Sequence, residues 1–436
     1  MTIIPPHLTR RGLLGRSAGA GAAGLLAACG SGQASPPSAQ TLKPATVRFT
    51  PAAGPGTDVA SFEPLIPQYM QERPNVKVEV EVIPDGDWTK INALLVADSA
   101  ADVSRINDDT VYQWGSSGKL THLDPLVAKS MKRDDYFPPT WQAMSVDGKL
   151  FSMQTHLGIN LFVYNADLLK KAGVVAPTSW AQAWDWNTFV TNMRKIATPN
   201  APAGQEVYAL TFPANYVIPL VWGNSPKQYN ADETQCAFNT KEALEVLEEM
   251  QQLIYVHKLV TYGQNNRQLF NAGRLAMNWG DPQFGTQSPP ELQWDIMPTP
   301  KTKKATFQEG YVRTFAIPKA TKEVDASWDF MRWLMTQQPQ VHLGRAGYGV
   351  PALKSAGDPT FKEGPLKDKN WKIIPDGLNV DVPLANNPVA GTFKDNFSKG
   401  PADRFLKNEI KAQELTETGC NDVNNKIREL NWKKKG

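Results

Sequence analysis

Residues 148–165, GKLFSMQTHLGINLFVYN, decide how the rest of the chain is read. The stretch opens on a turn signal, Asp147-Gly148. It then carries two apolar groups: Leu150, Phe151 and Met153, followed by Leu157, Ile159, Leu161, Phe162 and Val163. Between them lies a polar interruption, Gln154-Thr155-His156. A strand buried on both faces reads as a continuous apolar run and has no reason for three polar side chains in its middle. A strand that leaves one sheet, crosses an exposed gap and enters a second sheet has such a reason. The segment is therefore expected to be a crossover between two lobes, with the polar trio facing the gap.

At 436 residues the chain is too long for one ordinary core and suits two or three domains. Hydrophobic residues at 41% and charged residues at 20% describe a globular protein, neither disordered nor membrane-embedded. The net charge of +3 is local. Arg10, Arg11 and Arg16 stand in the first 28 residues, which hold no acid, and beyond them 43 basic residues face 43 acidic ones. Nucleic-acid phosphates demand a basic surface, so no nucleic-acid partner is expected.

Residues 1–28 read as a signal peptide: Arg10-Arg11, then Gly12-Leu13-Leu14, then small residues to Ala28. The uncharged stretch 17–32 is too short and too rich in Gly and Ala to span a membrane. Residues 9–14, TRRGLL, resemble a twin-arginine signal, and a general secretory route stays open. Residues 26–30, LAACG, resemble a bacterial lipobox, in which the Cys29 thiol is lipidated and becomes the new N-terminus. Residues 29–44 then form a lipidated tether, and the protein is expected to be exported and anchored to the outer face of the cell membrane by lipid alone. Export permits a disulfide between Cys236 and Cys420, but nothing fixes their distance, and two free thiols are the expectation. Two nucleotide-binding patterns carry no weight. GAGAAG at 19–24 lies inside the signal with no strand before it, and GSSGKL at 115–120 is short for a phosphate loop and reads as a turn.

Strands are expected at 46–49, at 102–106 and at 76–82, where Val76, Val78, Val80 and Val82 alternate with Lys77, Glu79 and Glu81. Between them fall a helix carrying Phe62, Leu65, Ile66 and Met70, with Pro67 as a kink or stop, and another opened by Asp87-Trp88. This alternation predicts an α/β fold with mainly parallel sheets. In such sheets ligands gather at the carboxyl ends of strands, here 51–54 and 107–109. Further on, 179–197 reads as a tryptophan-rich helix, and Thr240 starts a long amphipathic helix in a capping-box pattern. Residues 268–277 read as a short helix followed by a loop at 278–281, 309–318 as a strand, and 326–335 as a helix. Residues 403–432 read as helix broken at Thr418-Gly419-Cys420.

Taken in order, these pieces resemble the family 1 extracellular solute-binding proteins of bacterial ABC importers, of the carbohydrate, maltose-binding-protein-like type. The resemblance covers most of 45–430 and rests on several short motifs. They are Cys29 in its lipobox, Asp102-Val103, Trp114-Gly115 through Gly118-Lys119-Leu120 to Leu123-Asp124, Gly148-Lys149-Leu150 and Val163-Tyr164-Asn165. Pro177-Thr178-Ser179-Trp180, Gly273-Arg274-Leu275-Ala276-Met277 and Ala326-Ser327-Trp328-Asp329-Phe330-Met331 complete it. The chain departs from the pattern at Ala101 and Gln154, where the family commonly has Pro. The resemblance implies a two-lobe periplasmic-binding-protein fold of type II-like kind, each lobe a mainly parallel sheet flanked by helices, joined by a crossing-strand hinge. Residues 45–157 plus 314–360 would form one lobe and 158–313 plus 361–436 the other. It also implies a monomer that holds a small-molecule ligand, a mono- or oligosaccharide, between its lobes and delivers it to ABC permease subunits, with no cofactor, no metal and no catalysis.

Sugars are held by carboxylates and amides on adjacent hydroxyls and by aromatic faces on the C–H patches of the ring. Asp109 stands where the resemblance implies a hydroxyl-binding Asp, with Asn107 beside it; the alternative for both is to cap the next helix. Trp279 with Gly280, Trp222 in a loop and Trp88 at a helix start are candidate stacking residues, with core or capping roles as the alternatives. Gly310, Tyr311 and Arg313 on one crossing strand and Thr155 and His156 on the other complete the set, although His156 can equally donate to a backbone carbonyl. Beyond residue 28 the histidines, His122, His156, His257 and His342, show no metal-binding spacing, and no GxSxG elbow occurs. Three alternatives remain open. One is a secreted glycosidase-like enzyme, whose paired acids leave no local motif. Another is a binder of a glycerol-phosphate conjugate, for which only Arg313 and Arg345 are candidate cations. The third is an adhesion or sensor module on the same fold.

Overall fold

A computed structural model describes residues 42–51, 57–83, 88–107, 110–142, 144–224, 227–301, 313–347, 349–378 and 387–433. The strands there are β1 (Ala45–Thr50), β2 (Val76–Val80), β3 (Val103–Ile106), β4 (Ser145–Val146), β5 (Lys149–Leu150), β6 (Ser152–Leu157), β7 (Leu161–Asn165), β8 (Tyr208–Thr211), β9 (Val260–Thr261), β10 (Leu275–Gly280), β11 (Trp294–Met297), β12 (Arg313–Ala316) and β13 (Val350–Pro351). Six form one sheet, in the order β13-β6-β12-β3-β1-β2, and five form another, in the order β11-β7-β10-β8-β9; β4 and β5 make a hairpin.

The sheets are mixed rather than mainly parallel. β1 runs parallel to β2 and β3, but β12 is antiparallel to both β3 and β6, and β13 is antiparallel to β6. In the second sheet β8 is parallel to β9 and β10, while β7 is antiparallel to β10 and β11. A crossover helix brings the chain back to repeat the direction of the strand before it. β7 and β12 arrive from the other sheet, entering where their parallel neighbours end, and so run against them.

The crossover lies where the sequence puts it. β6 belongs to the first sheet, β7 to the second, and residues 158–160 join them. The polar trio, however, faces no gap: Gln154, Thr155 and His156 are at most 1% exposed. β12 pairs Arg313 with His156 and Thr314 with Gln154, which leaves Thr155 as an extra residue on β6, a β-bulge. The His156 ring finds a local partner there, and the backbone of the bulge is tied to residue 352. The His156 Nε2 lies 2.9 Å from the Gln340 carbonyl, and the Ala352 N–H donates to the Thr155 carbonyl at 3.2 Å.

Other elements differ from expectation for local reasons. The first helix is two, Thr57–Phe62 and Leu65–Glu72, divided near Pro64. Pro67 is third in the second helix, where an N–H would have no intrahelical acceptor, so it neither kinks nor stops it. The 179–197 stretch divides into a turn, Trp180–Gln182, and a helix, Trp186–Ile196, whose cap is Asp185, accepting from the Thr188 N–H at 2.7 Å. Thr240 caps Lys241–Gln251 by accepting from the Ala243 N–H, but the box is incomplete because the residue three positions on is Ala. The helix expected to reach Met277 stops at Asn271, and β10 follows directly, taking in most of the expected loop. The C-terminal helix, Ala412–Glu429, runs unbroken through Gly419. Gly is required there for packing rather than for a break, since a Cβ would lie 2.5 Å from the Phe397 ring.

Each sheet carries its own core. Rings of Phe49, Phe62, Tyr69, Phe315 and Phe330 interlock in the first, with Phe49 5.2 Å from Phe62 and 5.0 Å from Phe330. Phe162, Phe189, Tyr216, Trp279, Phe393 and Phe397 lie in the second. A third, smaller cluster surrounds the crossing, with Leu157, Ile159, Leu161, Val350 and Phe361. Cys236 and Cys420 are disulfide-bonded, with Cα atoms 5.3 Å apart, not free thiols. The helix around Cys420 packs on the second core and brings the two residues together across 184 positions of sequence.

Candidate functional site

The two sheets present matching rims to the crossing. In the first, β1, β2 and β3 end at Thr50, Val80 and Ile106; in the second, β8, β9 and β10 end at Thr211, Thr261 and Gly280. β7 begins at Leu161 opposite Gly280, and β12 begins at Arg313 beside His156, with Thr314 opposite Ile106. The chain thus passes from rim to rim, and the carboxyl ends of both parallel sets face the passage. That is where open α/β sheets hold ligands.

On the second rim, Trp279 at the end of β10 packs against Tyr216, with ring centroids 4.6 Å apart. Tyr216 closes the turn Ala214–Tyr216, which follows β8, so adjacent parallel strands deliver both rings to the same edge. Trp279 is 5% exposed, and its Nε1 is buried with no hydrogen-bond partner among the described residues. Buried donors are normally paired, and an acceptor such as a sugar hydroxyl could satisfy this one. Burial pushes the Tyr216 phenol well above its ordinary value, so it stays neutral. Tyr216 follows β8 by five residues, and nothing local in the sequence marks it as the ring beside Trp279.

The other candidates are placed as follows. Asn107 leaves β3 partly exposed, and its carbonyl accepts from the Thr110 N–H at 3.1 Å and the Thr110 Oγ1 at 2.8 Å. Thr155, the bulge residue, is wholly buried, and its Oγ1 has no partner among the described residues. His156 is enclosed and meets the Gln340 carbonyl. Trp222 is not in a loop: it lies in the helix Val217–Asn224, every residue of which is buried, and is itself 6% exposed. The apolar run VIPLVW tolerates Pro219 in its first turn. Gly280 ends β10 at the rim. Asp109, Gly310, Tyr311 and Cys29 lie outside the described residues, as do the side chains of Trp88 and Arg313. Arg345 is engaged elsewhere, with Glu363 at 2.5 Å and the Pro359 carbonyl at 2.9 Å.

Two cavities lie away from this aromatic pair. One of about 60 Å³ beneath the crossing, among Ile159, Gln283, Arg345, Gly347 and Phe361, has room for a few waters. The other, about 390 Å³, opens on the flank of the second lobe between Asp185, Trp186, Asn224, Glu249 and Lys301. Neither is lined by Trp279 or Tyr216. Among the described residues no group of three or more His, Cys, Asp or Glu could hold a metal, and no helix is long and apolar enough to cross a membrane.

This architecture, two α/β lobes whose strand ends face a chain crossing, is the two-lobe periplasmic-binding-protein fold. It is similar to an ABC substrate-binding protein of Listeria monocytogenes solved in complex with cycloalternan (TM-score 0.75, 19% identity, 88% of this chain and 99% of that one). It is also similar to a sugar-binding protein of Xanthomonas citri (TM-score 0.72, 20% identity, 89% and 98%). The chain belongs to the bacterial extracellular solute-binding protein family, whose profile matches residues 53–341. Among sequence relatives, a maltotriose-binding protein of Pyrococcus abyssi is 23% identical over 321 residues, 70% of this chain and 66% of that protein. An arabinooligosaccharide-binding protein of Bacillus subtilis is 40% identical over 60 residues, 14% and 13%. The matched part of this chain thus spans just under two thirds of the first relative's length and about an eighth of the second's.

Proposed function

We propose that this protein captures a mono- or oligosaccharide between its lobes and delivers it to the permease subunits of an ABC importer, without transforming it. The observation that carries the reading is the Tyr216–Trp279 pair at the carboxyl rim of the second sheet, two buried rings whose indole donor has no partner among the described residues. Aromatic faces and convergent polar groups are what a sugar ring requires. Asn107 on the opposite rim would supply an amide partner and Asp109, two residues on in sequence, a carboxylate, and Gly280 would allow close approach. Relatives named for maltotriose and arabino-oligosaccharides support this ligand class. The commitment of Arg345 to Glu363 weighs against a phosphorylated ligand.

In this reading residues 45–157 plus 314–360 form one lobe and 158–313 plus 361–436 the other, and they close about the crossings as a clamp. Residues 1–28 export the chain, lipidated Cys29 anchors it, 29–44 tether it, and the protein acts as a monomer. Thermal-shift and calorimetric titration against a panel of malto- and arabino-oligosaccharides tests the proposal. At a hundredfold excess over Kd, a bound ligand stabilises by about 2.7 kcal/mol, and chromatography should recover it unchanged. Release of smaller sugars would replace this reading with a glycosidase, and a panel with no stabilising member would refute the ligand class.

A further inference from the structure

The C-terminal helix Ala412–Glu429 is firmly mounted on the second lobe. Leu415, Cys420, Val423 and Ile427 are buried in that core, Cys420 is bonded to Cys236, and the Asn424 Oδ1 accepts from the Cys236 N–H at 2.7 Å. The helix ends in a Schellman closure. Asn431 adopts a left-handed conformation (φ 47°) and donates from its N–H to the Arg428 carbonyl at 3.1 Å, while the Trp432 N–H donates to the Ile427 carbonyl at 2.9 Å. The backbone therefore aims Trp432 instead of letting it fray.

Its ring meets Tyr112 edge-on, with centroids 5.0 Å apart. Tyr112 belongs to the other lobe, in the helix Val111–Ser116 that follows β3 and Asn107, and is 9% exposed. Among the described residues Trp432 is the one partly buried hydrophobic that packs against both main cores. The cluster around the crossing contains neither Trp432 nor Tyr112. A second feature marks the same meeting point. Burial, then the carboxylates of Asp147 on its own lobe and Glu233 on the other, push the Tyr112 phenol up. Glu233 lies between Tyr229 and Cys236, both in the second core, and accepts from the Asn387 amide at 2.9 Å.

We propose that Trp432 is a closure latch: an aromatic side chain aimed by the C-terminal helix of one lobe onto Tyr112 of the other, holding the lobes together and thereby setting ligand affinity. The proposal rests on the clamp reading above. A contact away from the pivot breaks when the lobes swing apart, so it stabilises only the closed form. Apparent affinity scales with the fraction of protein already competent to bind. Trp432 is a positioning residue here and need not touch the ligand.

The test uses the full chain and the variants W432A, Y112A and W432A/Y112A, read by small-angle scattering without ligand and by titration with whichever oligosaccharide raises Tm. Each single variant should enlarge the ligand-free protein and weaken binding by about three- to tenfold, the scale of one aromatic pair. The double variant should do little more than either single one. Unchanged size and affinity in both single variants would overturn the latch, as would effects that simply add. If W432A does not fold, Y112A breaks the same contact from the other side. Scattering requires no ligand, so expansion on W432A in a protein that binds no sugar would support the latch while refuting the ligand class. Sugar binding indifferent to W432A, with no expansion, would refute the latch alone.

Discussion

Removing the Cys236–Cys420 disulfide gives the most quantitative test of how the second lobe is held. The bond closes a loop across 184 positions, and chain-entropy arithmetic for such a loop gives about 5 kcal/mol of denatured-state restriction. The native side moderates that figure. Leu415, Val423 and Ile427 still bury themselves when the bond is absent, and measured effects cluster at about 2–4 kcal/mol. A body of this size has an unfolding entropy of roughly 0.8 kcal/mol/K, so C236S/C420S should lower Tm by about 3–5 °C. The fall should be larger in any probe that follows the second lobe alone. Differential scanning calorimetry of wild type, C236S/C420S and dithiothreitol-treated wild type measures it, the last two agreeing. Thiol titration of the denatured, unreduced protein should find at most one free thiol, that of Cys29. A Tm shift under 1 °C, or three free thiols, would refute the reasoning.

Other outcomes follow from single features. Asp329 is 9% exposed and accepts from the Tyr69 hydroxyl at 3.2 Å, Arg73 Nε at 2.9 Å and an Arg332 guanidinium nitrogen at 2.6 Å. Asp329→Asn removes the carboxylate that two guanidinium groups share and should cost about 3 kcal/mol in chemical denaturation; a loss below about 1 kcal/mol would contradict it. Burial raises the Asp124 carboxyl, but the Leu150 N–H, His122 and Arg133 together outweigh it and hold it below the usual carboxylate range. A group depressed in the folded state contributes stability above its unfolded pKa and loses it as pH falls through its folded one. The stability difference between wild type and Asp124→Asn should therefore be full above about pH 4 and shrink in more acidic buffer. Gly419→Val would drive its side chain into Phe397 and should destabilise by about 2–3 kcal/mol, with helix content retained by circular dichroism.

The sequence disclosed those features that depend on neighbours along the chain. The β6–β7 crossover was legible because the polar trio Gln154-Thr155-His156 interrupts an apolar run close to it, although those residues lie inside β6 rather than in the crossing, and the valine ladder of β2 announced itself by period alone. What escaped depended on partners remote in sequence. Nothing local distinguishes a bulge at Thr155 from a polar patch facing a gap, because the extra residue is defined by β12, more than 150 positions later. Gly419 looked like a helix break until Phe397 gave it a packing role. The same limit hid the pairing of Cys236 with Cys420 and the antiparallel entry of β7 and β12. For the candidate site, strand ends were readable but ring-to-ring neighbours were not. Trp279 could be nominated from its position, yet Tyr216 emerged only as the ring beside it, and Trp222 went to the core.

The sheet order β13-β6-β12-β3-β1-β2 has a consequence for how the polypeptide is made. β12 sits between β6 and β3, yet it is synthesised after every strand of the other sheet. Until residue 316 emerges, the nascent first half carries two raw edges with a missing slat between them, open to mispairing. Neither half can be excised as a continuous fragment, and a ribosome stalled anywhere between 166 and 312 would release a product with an unfinished first sheet. A chain still being completed would depend on holding chaperones until β12 arrives.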